Sequence, residues 1–242
     1  MVNKLSIPYM LYPVIGLIFS TVIVSNLDAQ TRTYTRPPVT DKWKEYRQQV
    51  KADSMKKMIE LKAAIPTLLY DLRYASTNNF MNRRMYPAGT NSTFMRKAAV
   101  DALRKVQQEL NEQGLGLKIF DAYRPYSVTE KFWELVKDER YVANPAKGSG
   151  HNRGIAVDLT IVKLGTNEEL DMGTGFDNFS DTAHSTYTQL PAQILQNRQL
   201  LRSLMEKNGF KVLDTEWWHF YIPSNDKYEI LDLKTKELNK AL

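Results

Sequence analysis

The side chains that could carry chemistry are concentrated in two short segments of this 242-residue sequence. Each segment supplies one imidazole and one carboxylate: His151 and Asp158 in the first, and His219 and Glu216 in the second. A catalytic zinc ion usually takes three protein ligands of these types and keeps a fourth position for water. The natural allocation puts His151, Asp158 and His219 on the metal and leaves Glu216 as the general base.

The spacing of these residues places two demands on the local structure. His151 lies in a glycine-flanked loop, and both its ring and Asp158 can reach one ion if Gly154 turns the chain back. In a regular strand, residues three apart face opposite sides. Glu216 and His219 can therefore share a site only if Glu216 precedes the strand or lies beside a bulge. The two tryptophans between them would wall the site and exclude water.

Each candidate also has a purely structural interpretation. A histidine is more often an ordinary core or surface residue than a ligand, and Asp158 could be a loop cap or a salt-bridge partner. His184 lies in a polar loop, which favours a solvent-facing position over a role as ligand. Arg124 follows a predicted strand, where a surface arginine stacked on tyrosine is the alternative to a site residue. Ser149 has only His151 as a nearby base, so a serine hydrolase is disfavoured.

The composition excludes several classes of protein. Hydrophobic residues make up 43% and charged residues 25%, as in ordinary globular proteins, which excludes a disordered or collagen-like chain. Lys and Arg number 33 against 27 Asp and Glu, a net charge of +6 without a basic run, so no nucleic-acid partner is expected. Because Cys is absent, disulfides, thiolate ligands and a thiol nucleophile are excluded.

The N-terminus differs from the rest of the chain. A basic residue, Lys4, precedes a mostly apolar stretch at 7–24, and the small residue Ala29 follows. This order is typical of a signal peptide, predicted at residues 1–29, and predicts a periplasmic or secreted bacterial protein without stable membrane association after cleavage. The alternative is an uncleaved anchor, since about 18 apolar residues approach the lower limit for a membrane span.

The hydrophobic pattern predicts an α+β single domain with a central antiparallel sheet flanked by helices. Residues 30–39 are polar with a proline pair and are predicted to be a linker, with the domain at 40–242. Predicted helices are one capped by Thr40, one from Phe94 to Leu110, one begun by a Ser127–Glu130 capping box, and one from Pro191 to Asn208. Predicted strands lie within 64–75, at 117–122 and 155–162, and in a hairpin at 210–213 and 217–222. Residues 144–153 and 165–190 are predicted loops, the second long enough to suggest a functional role, while residues 227–242 are ambiguous between strand and helix.

The two candidate segments resemble the zinc D-alanyl-D-alanine dipeptidases of the vancomycin-resistance type. The shared pattern is Ser149-x-His151-x-x-Gly154-x-Ala156-x-Asp158 followed by Glu216-x-x-His219, which also occurs in the wider superfamily of D,D-carboxypeptidases and Hedgehog-like domains. The resemblance covers roughly residues 65–235. Further segments similar to the dipeptidase branch are Asp71–Ala75, Asn79-Phe80, Asp121–Pro125 and Asp171–Asp177.

The resemblance implies a role for each matching residue and a Hedgehog-like domain fold. His151, Asp158 and His219 would hold one Zn²⁺ per chain, and Glu216 would activate water. Arg124 would stabilise the oxyanion. Ser149 and Asp177 would lie near the charged ends of the substrate. Members of the branch are often cytoplasmic, which differs from the predicted export of this chain.

The sequence therefore predicts a zinc metallopeptidase that hydrolyses D-Ala-D-Ala. One alternative is a periplasmic D,D- or L,D-carboxypeptidase that trims peptidoglycan stem peptides and uses the same metal centre with one side open. Another is a binding module that keeps zinc without catalysis, against which the presence of Glu216 and Arg124 argues. The dipeptide preference, the physiological role and the oligomeric state are left open by the sequence.

Overall fold

The computed structural model describes residues 34–224 and 227–239. The predicted signal peptide, residues 1–29, lies outside the described residues. Within the described part, no helix combines the length and the apolar character that crossing a bilayer requires. The strands described are β1 (Val39–Thr40), β2 (Met58–Glu60), β3 (Leu69–Tyr70), β4 (Phe94–Arg96), β5 (Leu115–Asp121), β6 (Ala156–Lys163), β7 (Lys211–Leu213), β8 (Glu216–Tyr221) and β9 (Ile230–Leu231). The helices described are α1 (Trp43–Ala52), α2 (Leu61–Ala64), α3 (Lys97–Asn111), α4 (Tyr126–Val136), α5 (Gly150–Arg153), α6 (Ala192–Lys207) and α7 (Thr235–Asn239).

The main sheet has the strand order β3-β5-β6-β8-β7. Strands β5, β6, β8 and β7 pair antiparallel, whereas β3 is parallel to β5 at the edge. The predicted central antiparallel sheet of an α+β domain is confirmed, with this one parallel pair added. Strand β6 lies in the middle of the sheet and is buried along nearly its whole length, with the polar residues Asp158 and Thr160 among its apolar ones.

The core lies between the sheet and the two longest helices, α3 and α6. Helix α3 buries Val100, Leu103, Val106 and Leu110, which recur every three or four residues and so lie on one face. Full burial of each such side chain is worth about 1.5–3 kcal/mol. This packing gives the central strands a rigid support, and the candidate site is built on their ends.

The predicted linker is in contact with the domain where it is described. The Tyr34 hydroxyl donates a hydrogen bond to Glu130 at 2.8 Å, and Val39 pairs with Ile230 in a parallel β1–β9 ladder. Residues 34–39 are therefore held by α4 and by the C-terminal part of the chain.

Two predicted helix caps are wrong. Thr40 lies in β1, and its hydroxyl oxygen accepts a hydrogen bond from the Gln49 side chain at 2.8 Å. Ser127 lies inside α4, and its hydroxyl donates to Asp232 at 2.7 Å. In both cases the hydroxyl group that the sequence pattern assigned to helix capping instead forms a hydrogen bond with a side chain outside the first helical turn.

Three other local predictions also differ from the structure. The predicted strand within residues 64–75 is limited to β3, because α2 and a 3₁₀ turn take up its ends. The predicted loop at residues 144–153 contains the short helix α5. The C-terminal segment forms both a strand, β9, and a helix, α7. The long connection at residues 165–190 is confirmed, and its described regular structure is one 3₁₀ turn at Asp181–Ala183.

Candidate active site

His151 is positioned by the short helix α5. The Ser149 hydroxyl accepts from the Asn152 backbone N–H, and the Asn152 side chain accepts from the Ser149 N–H, a reciprocal cap that fixes the start of the helix. Gly154 ends it in the left-handed conformation, with φ of +70°. The His151 Nδ1 lies 2.7 Å from the Ala122 carbonyl oxygen, which can only accept. Nδ1 therefore carries the proton, and Nε2 is left as a free ligand atom.

Asp158 and His219 come together through strand pairing. They are direct partners in the β6–β8 register, so their side chains lie on the same face of the sheet. The β7–β8 register is irregular: Val212 lies opposite Phe220, and the next residue of β7, Leu213, lies opposite Glu216. This bulge resolves the spacing problem of the Glu216–His219 pair.

The ligand atoms of His151, Asp158 and His219 form a compact triangle. His151 Nε2 lies 3.3 Å from His219 Nδ1 and 3.4 Å from Asp158 Oδ2, while His219 Nδ1 lies 2.9 Å from Asp158 Oδ1. Three ligands about 2.0–2.1 Å from one tetrahedral ion are about 3.3 Å apart, so this donor set and its spacing fit a metal. Although burial opposes ionisation, the two imidazoles hold the pKa of Asp158 well below its usual range.

Glu216 lies beside this triangle without being part of it. Its Oε2 is 3.8 Å from His219 Nδ1. Burial raises the pKa of Glu216 to about 7, against the opposing effect of His219. A carboxylate placed next to the candidate metal ligands, and not among them, has the position expected of a general base.

Arg124 is buried, so the alternative of a surface arginine is wrong. The side chain donates from Nε and Nη2 to Asp121 Oδ2, at 3.1 Å and 2.7 Å. Its guanidinium lies over the rings of Tyr74 and Phe132, 5.1 Å and 5.0 Å from their centroids. The charge is therefore held in one place inside the protein by one carboxylate and two aromatic rings.

Asp177 adds a half-buried carboxylate to the lining of the same cavity. Its Oδ1 accepts a hydrogen bond from the Tyr74 hydroxyl at 2.9 Å, and its Oδ2 is buried without a hydrogen-bond partner among the described residues. Burial raises the pKa of Asp177 to about 7. An unsatisfied buried oxygen of this kind is costly, and a cationic ligand group would supply the missing donor.

The predicted site residues line one cavity of about 300 Å³. Tyr74, Phe80, Phe132, Tyr141, Phe179 and Trp218 provide its aromatic walls. The seven residues predicted from the sequence that line it are Arg124, Ser149, His151, Asp158, Asp177, Glu216 and His219.

Of two predictions about neighbouring residues, the one for His184 agrees with the structure and the one for the two tryptophans agrees only in part. His184 lies outside the cavity and the ligand triangle, with its Nε2 3.8 Å from Asp181, in agreement with a solvent-facing position. Of the two tryptophans expected to wall the site, Trp218 does so. Trp217 instead donates from Nε1 to Thr174 at 2.8 Å and lines a separate groove beside α6.

Sequence reasoning missed the roles of Tyr74, Tyr86 and Asp121. The Tyr86 hydroxyl donates to Asp121 Oδ1 at 2.5 Å, and Asp121 in turn holds Arg124. The available signal was the position of Asp121, three residues before Arg124 at the end of a strand. Nothing in the local sequence indicated Tyr86, which lies 35 residues earlier.

Comparisons with known proteins point to one family. A family model described as D-ala-D-ala dipeptidase matches residues 54–236, a range that contains all the predicted site residues. The chain is 34% identical over 174 residues to the D-alanyl-D-alanine dipeptidase of Escherichia coli (strain K12), covering 72% of this chain and 89% of that protein. It is 32% identical over 180 residues to the protein of the same name from Enterococcus faecalis (strain ATCC 700802 / V583), covering 66% and 89%. Among solved structures, the LD-carboxypeptidase LdcB has a TM-score of 0.41 at 18% identity, covering 76% of this chain and 77% of that one.

Proposed function

The chain belongs to the D-Ala-D-Ala dipeptidase family, and we propose that it hydrolyses the free dipeptide D-Ala-D-Ala with one zinc ion per chain. The proposal is carried by the contents of one small cavity. The candidate metal ligands His151, Asp158 and His219 line this cavity together with Asp177, whose Oδ2 has no hydrogen-bond partner among the described residues. A dipeptide has a peptide bond and a charged amine only a few bonds apart, which matches this pairing of groups.

The proton transfers belong to Glu216. His151, Asp158 and His219 would hold the zinc ion, which would supply a Lewis acid for the activation of water near neutral pH and for the polarisation of the peptide carbonyl. The Glu216 carboxylate, 3.8 Å from His219 Nδ1, accepts the proton of the attacking water and returns it to the leaving amine.

Arg124 stabilises the negative charge that develops on the carbonyl oxygen. Its guanidinium is always protonated and presents its donors in a fixed fork. It is only 8% exposed, so its hydrogen bonds act in a low-dielectric environment, where they are stronger than in water.

The two charged ends of the dipeptide are recognised by polar groups on the cavity walls. Asp177 accepts from the substrate ammonium group, and Ser149, which also lines the cavity, donates to the other end. Phe179 contacts Phe80 and Tyr141, with ring centroids 5.1 Å and 4.7 Å apart, and the three rings form one wall. A longer peptide lacks the ammonium at this position and leaves Asp177 buried without a partner, which disfavours its binding.

The experiment compares three substrates: D-Ala-D-Ala, its N-acetyl derivative, and a stem pentapeptide that ends in D-Ala-D-Ala. We expect cleavage of the free dipeptide, its loss on chelation and its return on addition of zinc, with poor cleavage of the other two. Equal turnover of the pentapeptide would instead support a carboxypeptidase. Stoichiometric zinc without hydrolysis of any of the three would support a binding module.

Asp177→Asn tests the amine end directly. The neutral amide loses the charge that pairs with the ammonium, so KM for the free dipeptide should rise by at least about 10-fold while the zinc content stays the same. Asp181→Asn is the matched control, because that carboxylate lies in the same loop and is 92% exposed. An unchanged KM in Asp177→Asn would remove this residue from substrate binding.

A further inference from the structure

Asp121 is a buried carboxylate that the proposed chemistry does not use. It lies at the end of β5 and is 0% exposed. Its Oδ1 accepts from the Tyr86 hydroxyl at 2.5 Å, and its Oδ2 accepts both Nε and Nη2 of Arg124. Both oxygens are thus engaged by donors from two separate parts of the chain, and Asp121 is not among the residues that line the cavity.

The local fold turns this carboxylate toward the site. The β5–β6 register shifts between Ile119 and Asp121, which brings Asp121 opposite the metal-ligand candidate Asp158. The irregularity lies where β5 ends and the chain continues to Arg124, three residues later. A bulge at this point re-aims a side chain that a regular strand would direct elsewhere.

The contacts of Asp121 concern Arg124 more than the metal ligands. Asp121 Oδ2 is 3.8 Å from His151 Nδ1, but that nitrogen donates to the Ala122 carbonyl at 2.7 Å. The orientation of His151 is therefore fixed without Asp121. The guanidinium of Arg124, by contrast, has Asp121 as its one carboxylate partner among the described side-chain contacts.

Arg124 needs such a partner for two physical reasons. A guanidinium near a divalent cation is repelled by it, and an adjacent carboxylate offsets that repulsion. A long side chain also has many rotamers, and only a narrow range of them aims the remaining donors at a carbonyl oxygen. Two hydrogen bonds that converge on one carboxylate oxygen, with the rings of Tyr74 and Phe132 against the guanidinium, restrict this freedom.

We propose that Tyr86 and Asp121 are positioning residues that act through Arg124: Tyr86 fixes the Asp121 carboxylate, and Asp121 fixes the guanidinium in the orientation that meets the developing oxyanion. The inference rests on the proposed function, in which Arg124 stabilises that charge. Tyr86 is suited to the task, since it is buried and its phenol stays protonated and donating; burial and the Asp121 charge raise its pKa.

The test is a double-mutant cycle between Tyr86→Phe and Arg124→Lys, with kcat, KM, zinc content and Tm measured for each protein. Tyr86→Phe removes one hydroxyl and should lower kcat by about 10-fold or more with little change in KM or zinc content. In the Arg124→Lys background, the same change should have little further effect, because the group it positions is already gone. Tyr46→Phe is the matched control: it also removes a buried hydroxyl, one that accepts from the Met58 N–H at 2.7 Å outside the cavity.

The outcomes separate this inference from the function on which it rests. Two results would overturn the positioning role and leave the role of Arg124 in place. In the first, Tyr86→Phe is as active as Tyr46→Phe. In the second, Tyr86→Phe lowers kcat as much in the Arg124→Lys background as it does in the wild type. A full kcat in Arg124→Lys alone would instead contradict the proposed role of Arg124. If Tyr86→Phe loses Tm and zinc, Asp121→Asn replaces it in the cycle, because the amide keeps the shape and an acceptor for Tyr86 while losing the charge that holds Arg124.

Discussion

Arg124 is held in the cavity wall before any substrate arrives, so its removal should affect the transition state more than the ground state. Arg124→Ala should lower kcat at least roughly 100-fold, the lower end of the cost of one oxyanion donor, with a small change in KM. Arg124→Lys should restore activity only in part, because a point charge on a flexible stem cannot reproduce the fork. Steady-state kinetics on the free dipeptide measure both parameters. A large KM increase at constant kcat would reassign Arg124 to substrate binding.

The ligand triangle predicts which histidines hold the metal. His151→Ala, Asp158→Ala and His219→Ala should each lose zinc on dialysis, because each removes one of three donor atoms. His184→Ala should keep it, since its ring lies outside the cavity. Metal analysis of the dialysed proteins decides between these outcomes.

Glu216→Ala is the complementary control for the ligand variants. It should keep zinc and still lose about 10²- to 10⁴-fold in turnover, as expected when a general base is removed. Zinc retained by His219→Ala, or lost by His184→Ala, would contradict the proposed ligand set.

The grouping of the three candidate metal ligands could be predicted from the sequence, whereas the environment of Arg124 could not. His151 and Asp158 are only seven residues apart across a glycine turn, so local geometry limits where they can point. The burial of Arg124 depends on Tyr74, which lies 50 residues away, and on Phe132 in the following helix. These ring contacts are set by tertiary packing, which no local spacing reveals.

At the level of elements, bulges adjust the strand ends that carry the site. The sequence indicated that Glu216 and His219 need an irregular strand, because residues three apart otherwise face opposite sides. It could not locate the irregularity, since that depends on how β7 pairs with β8: Leu213 lies opposite Glu216, directly after Val212 opposite Phe220. The spacing of Glu216 and His219 thus shows that the strand must be irregular, while the position of the irregularity depends on the register with the partner strand β7.

Helix α5 also depends on one glycine for its position. Gly154 has φ of +70°, and a Cβ there would lie 2.8 Å from the thioether of buried Met58. Gly154→Ala should cost about 1–2 kcal/mol for the left-handed conformation alone. Displacement of Met58 adds to this cost, and zinc binding should weaken because α5 carries His151. Thermal unfolding and metal analysis measure the two effects.

Gly89→Ala separates these contributions. Gly89 also has a positive φ, +79°, but no atom lies within 4 Å of the position of an added Cβ. It should therefore lose less Tm than Gly154→Ala and should keep its zinc. Equal losses in the two variants would mean that close packing under α5 contributes nothing.

At the scale of the whole described fold, the fold class could be predicted from the order of helices and strands, whereas the pairing of the short strands β1 and β9 could not. The last strands pair locally, so an antiparallel sheet was foreseeable. The parallel β1–β9 ladder joins Val39 to Ile230 across nearly the full length of the domain. Such short, two-residue strands have no periodicity to recognise, and they form because the rest of the fold brings the two ends together.

At the N-terminus, we propose that residues 1–29 direct export of the protein and are then removed. The mature protein recovered from its source cells should therefore begin near Gln30, as N-terminal sequencing would establish. Ala29→Phe should block processing, since the cleavage position requires a small residue, and the larger precursor should accumulate in the membrane fraction. A wild-type protein found intact in the membrane, with residues 1–29 still present, would instead establish the segment as an anchor that holds the domain at the bilayer surface.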